Sequence, residues 1–422
     1  MNTGCIPTKT LVRSAEVAHL VRSAERFGVT ARDVGVDFPA VITRKNRIVG
    51  KILERMGEGL ASNQSVTLVR GHARFRSPQE IEVDGRLLSA PQVVIATGSR
   101  PAVPPIKGLD QTPFLTSDSI MDLSELPGRL VVMGAGAVGL EFAQMFARFG
   151  SRVTVFEMLD RILPGEDAEI TTLLLAVLKA EGLEIHTSSK VTEVSQHQGV
   201  SLIKADTPEG PLVVEADAIL VATGRTPNIE DMGLDQVGIG YTRKGVTVDP
   251  MLRTAAPGVW AAGDVTGHPM FTHAAVYASS IVVENAFADG AYEFDPNEVP
   301  RATFVEPEVA SIGLTEEQAV AQGFKVRVGR QPMANVGRAR VMETMEGVIK
   351  FVVDSESGKI LGTHILGQSA GELIHIANLA RNAGEGNTDP FFQSIFIHPT
   401  LMEGVQSAVE AVWSDATPIM TH

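Results

Sequence analysis

The sequence has 422 residues and a mass of 45.0 kDa, with 44% hydrophobic and 20% charged residues, which predicts two or three folded domains rather than disorder. A formal net charge of −14 argues against nucleic acid or an anionic membrane as the main partner. No segment has the apolar length of a membrane span, and no signal pattern opens the chain. The single cysteine excludes an internal disulfide and is typical of a reducing compartment, so we expect a soluble, cytoplasmic protein.

That cysteine, Cys5, lies at the amino end of the first predicted helix. Pro7 follows it, and proline is well tolerated in the first turn of a helix. The unpaired N–H groups and the dipole at a helix start favour a negative charge, so the site would stabilise a thiolate. The alternative is a lone buried cysteine that packs as a small hydrophobe. The residues around Cys5 by themselves support the two interpretations equally.

A second helical pattern follows, with apolar residues at helical spacing along one face: Ile48, Ile52, Met56 and Leu60. Four basic residues lie among them, and a solvated basic face accounts for these without a ligand: Arg44, Lys45, Arg47 and Lys51.

Short strands are predicted after this helix, at 66–69 and 81–83, and Asp84-Gly85 gives a strong two-residue hairpin signal. Residues 93–96 form an apolar run that predicts a buried parallel strand ending at Thr97-Gly98.

The middle of the chain predicts alternating strands and helices. Strands are expected at 130–133, 152–156 and 218–222, and helices at 137–149 and 168–181, the first of them closed by Gly150. An apolar strand ending in Ala-Thr-Gly therefore occurs twice, at Ala96 and Ala222. This weak internal repeat suggests two nucleotide-binding units of similar build.

A third segment of this kind, at 259–264, runs from a strand to Gly-Asp and is followed by a helix at 274–286. The last section mixes strands at 347–353 and 361–365 with helices at 371–381 and 399–412. It has no phosphate-binding glycine pattern, so it predicts a separate α+β domain.

Residues 134–139 read Gly-Ala-Gly-Ala-Val-Gly, a G-x-G-x-x-G sequence between a predicted strand and a predicted helix. Glu157 ends the next strand, close to the ~20-residue spacing of an acid that holds a ribose 2′-hydroxyl. All four conditions of a dinucleotide fingerprint are met, so a purely structural glycine turn is improbable. Glu157 would repel a 2′-phosphate, which favours NAD, although Arg152 and Arg161 nearby leave NADP possible.

His398 precedes Pro399, and a lone histidine in such a place is more often a packed or solvent-facing residue than a base. Glu403 follows five positions later, at the start of a predicted helix. A carboxylate bonded to one ring nitrogen fixes the tautomer and raises the basicity of the imidazole.

The chain combines five kinds of motif: Gly-Cys-Ile-Pro-Thr-Lys from Gly4, the two Ala-Thr-Gly strands, the glycine fingerprint between them, Ala-Gly-Asp ending at Asp264, and His398-Pro-Thr. With them the whole chain resembles the pyridine nucleotide-disulfide oxidoreductases, in particular dihydrolipoamide dehydrogenase and mercuric reductase-like proteins. The resemblance implies an α/β fold with two Rossmann-like domains, for FAD (1–116 and 246–298) and for NAD (117–245), and a C-terminal α+β dimerisation domain (299–422). It also implies that NAD(P)H electrons pass through flavin and a cysteine pair to a disulfide or a metal ion.

The resemblance also assigns roles to individual residues. Cys5 matches the flavin-side cysteine, Glu141 matches an acid that pairs with Lys9 near the flavin ring, and His398 with Glu403 matches an acid/base that reaches the partner subunit's cysteines. Contacts with FAD are implied for Lys9, Ala73, Thr97, Gly98 and Asp264. Contacts with NAD are implied for Gly134, Ala135, Gly136, Ala137, Val138, Gly139, Leu140, Glu157, Val191 and Gly224.

A homodimer is implied, with no resident metal, no nucleic acid and no membrane partner. Mercuric reductases carry a cysteine pair near the carboxyl end, and residues 412–422 contain none, which counts against mercuric ion as the acceptor. A lipoyl-domain partner is possible, but no residue identifies it.

The family begins with an FAD-binding βαβ unit that has its own glycine fingerprint, and it has a first cysteine that would lie one position before Met1. We expect on the order of 40 further residues upstream, enough for a ~30-residue βαβ unit and the lead-in to the cysteine loop. The alternative is an inactive fragment that retains only dimerisation or NAD binding.

Overall fold

The computed structural model describes residues 3–414, so Met1 and most of the cysteine-free tail lie outside the described part. Two compact units are present. The first contains the chain up to Cys5, Ile48–Ala102 and Gly224–Val299, and the second contains Ile6–Arg47, Val103–Thr223 and the chain from Pro300 onward.

Ten α-helices occur between residues 3 and 414, and none of these is long and apolar enough to cross a membrane. They are α1 (Cys5–Arg22), α2 (Phe38–Ser62), α3 (Ala137–Phe149), α4 (Ala168–Ala180), α5 (Thr272–Phe287), α6 (Glu316–Ala321), α7 (Gly337–Met342), α8 (Ala370–Asn382), α9 (Asp389–Gln393) and α10 (Met402–Trp413).

The strands, in chain order, are β1 (Ala73–Ser77), β2 (Glu80–Val83), β3 (Arg86–Ser89), β4 (Val93–Ile95), β5 (Ser99–Pro101), β6 (Arg129–Met133), β7 (Arg152–Phe156), β8 (Glu184–His186), β9 (Lys190–His197), β10 (Val200–Thr207), β11 (Gly210–Ala216), β12 (Ala218–Val221), β13 (Arg225–Pro227), β14 (Tyr241–Thr242), β15 (Gly245–Val246), β16 (Val259–Ala261), β17 (Arg301–Thr303), β18 (Glu308–Gly313), β19 (Val326–Pro332), β20 (Val348–Asp354) and β21 (Ile360–Gly367).

In the first unit, β1, β2 and β3 form an antiparallel meander, and β4 pairs in parallel with β16. Asp84 and Gly85 both have positive φ, 48° and 85°, as the mirror-image turn of a two-residue hairpin requires, so the predicted hairpin is confirmed. The two Ala-Thr-Gly segments continue directly into β5 and β13, which pair with each other in antiparallel fashion. The internal repeat therefore ends in one shared two-stranded ribbon.

In the second unit, the parallel sheet has the strand order β12-β6-β7-β8, with α3 connecting β6 to β7 and α4 connecting β7 to β8. Phe142 and Phe146 of α3 are buried against this sheet in one apolar core. An antiparallel sheet, β11-β10-β9, is inserted before β12, and the carboxyl-terminal part contains a five-stranded antiparallel sheet in the order β17-β18-β21-β20-β19. The predicted α/β fold with a carboxyl-terminal α+β domain is confirmed.

One strand expected in the amino-terminal section is wrong. Residues 66–69 form no strand, and Val66 and Leu68 are exposed, because an apolar run becomes a strand only where a neighbouring strand pairs with it. The helix predicted through Ile48 and Leu60 is confirmed as α2; Met56 and Leu60 on its apolar face are exposed, and the buried residues of α2 are Phe38 and Lys45.

Lys45 also departs from the predicted solvated basic face. Its side chain is buried, and Nζ donates to the carbonyl oxygen of Met121 at 2.9 Å and to Asp122 Oδ1 at 2.8 Å. A buried ammonium requires such partners, so Lys45 anchors α2 to the segment before β6.

Candidate active site

Cys5 is the first residue of α1, and its thiol is exposed. Its Sγ lies 3.2 Å from Oγ1 of Thr272, the first residue of α5. The predicted position of the thiol at a helix start is therefore observed, and the buried alternative is wrong. Thr272 is a neighbour that the sequence did not reveal, because the two residues are distant in the chain and only the fold brings them together.

Lys9 and Glu141 form an ion pair with Nζ 2.6 Å from Oε2. The carboxylate is almost fully buried, and its other oxygen accepts a hydrogen bond from the N–H of Phe304 at 2.9 Å. The Lys9 ammonium also lies 4.6 Å from the centre of the Phe304 ring, a cation–π contact. The ammonium is thus held by two contacts, and the carboxylate that pairs with it is itself fixed by the Phe304 backbone, as the predicted pairing requires.

The glycine turn has the geometry that its sequence predicts. Gly134 has φ of 105°, and a Cβ there would lie 2.5 Å from the carbonyl oxygen of Ala222. A Cβ at Gly139 would lie 2.0 Å from the carbonyl oxygen of Gly134, so only glycine lets α3 approach β6 so closely. Gly136 instead faces open space, and α3 begins directly after it; within residues 3–414 no side chain caps the N–H groups of its first turn. An anion such as a pyrophosphate fits at this position.

The other residues of this stretch take part in different ways. Val138 is exposed, whereas Ala135 and Leu140 are fully buried in the apolar core. Val191, on β9, is also buried. The side chain of Val138 can therefore contact a bound nucleotide, whereas the buried residues could contact it only through their backbone atoms.

Glu157 follows β7, and its carboxylate is engaged with the backbone. Oε2 accepts from the N–H of Ala135 at 2.7 Å, and Oε1 accepts from the N–H of Leu159 at 2.9 Å. Each carboxylate oxygen can accept a second bond, so the pair retains capacity for ribose hydroxyls. Arg152 lies 3.7 Å from Glu184, and Arg161 lies 3.8 Å from Glu317, so both nearby guanidinium groups face carboxylates.

Two of the residues predicted to contact FAD in the first unit, Asp264 and Thr97, are fixed by separate hydrogen bonds. Asp264 accepts from the hydroxyl of Ser99 at 2.5 Å, and Arg225 donates to the same hydroxyl at 2.7 Å. Thr97 donates through Oγ1 to the carbonyl oxygen of Asn228 at 2.7 Å. Asp264 retains free acceptor capacity and suits the hydroxyl groups of a ribityl chain.

Three further predicted contacts are positions of exposed or permissive backbone. Gly98 has φ of 69°, and a Cβ added there would meet nothing within 4 Å, which leaves room for a ligand. Gly224 has φ of 116° and immediately precedes β13 in the first unit. Ala73 is exposed at the start of β1.

His398 and Glu403 form the predicted pair. His398 Nδ1 lies 2.8 Å from Glu403 Oε1, while Oε2 accepts from the N–H of Thr400 at 2.8 Å. This N–H, and after it the His398 ring, hold the pKa of Glu403 below its ordinary value. The histidine side chain is 79% exposed, so Nε2 is available to a reacting group.

A pyrophosphate turn and an exposed thiol in one α/β chain are what a dinucleotide-dependent redox enzyme requires. The chain belongs to the pyridine nucleotide-disulphide oxidoreductase family, because that family's model matches residues 1–279 and its dimerisation-domain model matches residues 299–409. The family is FAD-dependent and uses NAD(P)H, and its members similar to this chain are oxidoreductases of the disulfide reductase class.

Several characterised proteins are similar over nearly the whole chain. A dihydrolipoyl dehydrogenase of Thermus scotoductus is 38% identical over all of this chain and 91% of its own length. A mercuric reductase of Streptomyces lividans is 36% identical over 99% of this chain and 90% of its own. The solved structure of the HOCl-induced flavoprotein disulfide reductase RclA from Escherichia coli is 32% identical, covers 97% of this chain and 90% of its own, and superposes with a TM-score of 0.84.

Proposed function

We propose that this protein takes electrons from NADH and passes them through bound FAD and the Cys5 sulfur to a disulfide acceptor. The observation that carries the proposal is the exposed thiol of Cys5, at the first position of α1 and 3.2 Å from the Thr272 hydroxyl. A thiolate is the nucleophile of thiol–disulfide exchange, and a helix start favours that charge. Cys5 is the only cysteine in the sequence, so the exchanging sulfur comes from outside these 422 residues.

NADH is supported as the electron donor by the second unit. The open backbone at Gly136 and the N–H groups of the first turn of α3 suit the pyrophosphate, and Glu157 offers acceptors to the adenosine ribose. A carboxylate at that place repels a 2′-phosphate, so NADH is preferred to NADPH.

FAD, when bound, would supply the two-electron chemistry that joins nicotinamide to sulfur. In the first unit, Asp264 would offer acceptors to its ribityl hydroxyls. In the second unit, the Lys9 ammonium, fixed by Glu141, would offer one positive charge. His398, with Glu403 bonded to its Nδ1, presents Nε2 to accept the proton of the attacking thiol and to donate it to the leaving thiolate.

The dimerisation-domain match over residues 299–409 supports a homodimer, in which the family resemblance makes His398 serve the partner's Cys5. The relatives also support catalysis over an inactive fragment, because they are oxidoreductases.

A metal ion is the second candidate acceptor. Mercuric reductases are among the relatives, and RclA, which is 32% identical, has been solved as a Cu(II) complex. Residues 412–422 contain no cysteine, the ligand that a soft metal ion prefers.

The test compares the FAD-loaded protein with its Cys5→Ser variant, using NADH with lipoamide, Hg(II), Cu(II) or an artificial dye as acceptor. We expect Cys5→Ser to lose at least about 10³-fold in lipoamide reduction, since the nucleophile is gone, while dye reduction stays within about twofold. Lipoamide reduction that survives in Cys5→Ser would refute the role of the thiol. Hg(II) or Cu(II) turnover faster than lipoamide turnover would favour the second candidate.

A further inference from the structure

A row of polar residues crosses the entire five-stranded sheet of the second unit. Arg301 on β17 pairs with Ser311 on β18, Ser311 with His364 on β21, His364 with Lys350 on β20, and Lys350 with Arg330 on β19. Residues directly opposite each other on neighbouring strands point to the same face of the sheet. Three cations and a histidine therefore form one transverse line on a face that is otherwise built for packing.

Lys350 is the fourth of the five residues in this row, and the start of α4 packs onto it. Its Nζ lies 3.0 Å from both carboxylate oxygens of Asp167, 3.2 Å from Glu169 and 2.8 Å from Glu316. The side chains of Lys350 and Asp167 are only 4% and 3% exposed. Burial opposes the charge on Lys350, but the bonds to Glu316 and Asp167 outweigh it and raise the pKa of the amine.

The two ends of the row meet the same segment. Arg330 Nε lies 2.9 Å from Glu169, and Arg301 Nε lies 3.4 Å from Glu166. Glu166, Asp167 and Glu169, which precede and open α4, therefore each lie beside at least one cation of the row. Such a match fixes the position of the segment, because any slip leaves a buried charge without its partner.

The segment held by this row, residues 157–167, also contains Glu157, the carboxylate proposed to bind the ribose. It begins at Glu157, whose Oε2 holds the N–H of Ala135, and it touches the glycine turn again where the N–H of Leu163 donates to the carbonyl of Ala135 at 3.0 Å. It ends at Asp167, which caps α4 by accepting from the N–H of Glu169 at 3.1 Å. One end of the segment is therefore tied to the glycine turn and the other end to Lys350.

We propose that Lys350 is a positioning residue of the nucleotide site: by clamping Asp167 it holds segment 157–167 in the form that presents Glu157 to the adenosine ribose. This inference rests on the proposed binding of NADH at the glycine turn. Without the ammonium, three carboxylates lose their shared partner, and the start of α4 moves toward solvent. The segment then loosens, and Glu157 loses its preorganised position.

The experiment measures binding rather than turnover. The dissociation constants of NADH and NADPH are determined by calorimetry for the wild-type protein, Lys350→Met and the control Lys325→Met. Lys325 forms an exposed ion pair with Glu356 beside the same sheet, outside the row. We expect Lys350→Met to weaken NADH binding about tenfold and NADPH binding less than about threefold, because only NADH uses Glu157, and Lys325→Met to change neither.

Amide hydrogen exchange gives a second readout in the same samples. Exchange at residues 158–166 should accelerate in Lys350→Met and stay unchanged in Lys325→Met. Arg330→Gln provides a milder lesion, because Arg330 is 38% exposed and water can solvate the carboxylates that it leaves. We expect this variant to fold and to weaken NADH binding about threefold.

The outcomes separate the two levels of the argument. A wild-type protein that binds no NADH contradicts the proposed function itself. If the wild type binds NADH and a folded Lys350→Met matches it in affinity and in exchange at 158–166, the positioning role is overturned. Should Lys350→Met not fold, unchanged affinity and exchange in Arg330→Gln overturn it equally.

Discussion

His398 depends on Glu403 for its orientation, since the carboxylate bonds Nδ1 and is itself fixed by the N–H of Thr400. We expect Glu403→Gln to lower kcat for disulfide reduction about 10- to 100-fold, because a neutral amide stabilises neither the required tautomer nor the imidazolium.

The matched control is Glu410→Gln. Glu410 lies on the same helix, and among the described side chains its carboxylate accepts a hydrogen bond only from Gln406. NADH affinity should be unchanged in both variants. A Glu403→Gln protein with the wild-type kcat for disulfide reduction would show that the pair has no part in proton transfer.

At the scale of single residues, the sequence predicts those parts of the site whose signal is local. Gly134 and Gly139 are recognisable because a tight turn and a close helix–strand approach demand glycine at these spacings. The link from Glu157 to the N–H of Ala135 and the contact of Cys5 with Thr272 are not recognisable, because both join residues that only the fold brings together.

Among the elements, α3 is predicted to the residue, since a strand, a glycine turn, an amphipathic run and Gly150 all agree. Gly150 closes the helix with its N–H directed to the carbonyls of Phe146 and Ala147. Segment 66–69 shows the opposite case, because apolar residues alone do not supply a pairing strand. The polar row across the five-stranded sheet is likewise invisible in the sequence, since strand register is set by tertiary packing.

The same sheet predicts a pH dependence of stability through His364. This side chain is fully buried, its Nε2 donates to the carbonyl of Leu314 at 3.0 Å, and its Nδ1 has no hydrogen-bond partner among the described residues. Burial lowers the pKa of His364 below 6.5, although the Leu314 carbonyl and the charges of Asp167 and Glu166 partly offset this effect.

Below pH 6.5, His364 is therefore protonated in the unfolded chain and still neutral in the folded chain, because its pKa is lower there. The free energy of unfolding should fall as the pH drops, by at most about 1.4 kcal/mol per pH unit, until the folded imidazole also titrates. Denaturant unfolding of wild type and His364→Gln between pH 8 and pH 5 measures this, because glutamine keeps a donor for Leu314 and does not titrate. Parallel curves for the two proteins would contradict the assignment.

For the whole molecule, the surface around His398 argues for assembly. Ile395, three positions before His398, is 100% exposed, and Ile397, next to it, is 78% exposed. Large aliphatic side chains exposed together beside an active group are typical of a surface that a partner covers. The family resemblance makes that partner a second copy of this chain, whose Cys5 would be served by His398.

Complementation between two inactive variants tests this arrangement. Cys5→Ser retains His398, and His398→Ala retains Cys5, so each homodimer lacks disulfide reductase activity. If the histidine serves the partner's Cys5, random subunit exchange produces one intact site in each heterodimer, and about a quarter of wild-type activity should return. Mixing Cys5→Ser with a Cys5→Ser/His398→Ala double variant is the control and should restore none. If the first mixture forms heterodimers, as mass spectrometry of tagged subunits can verify, and still lacks activity, then His398 does not act across the dimer.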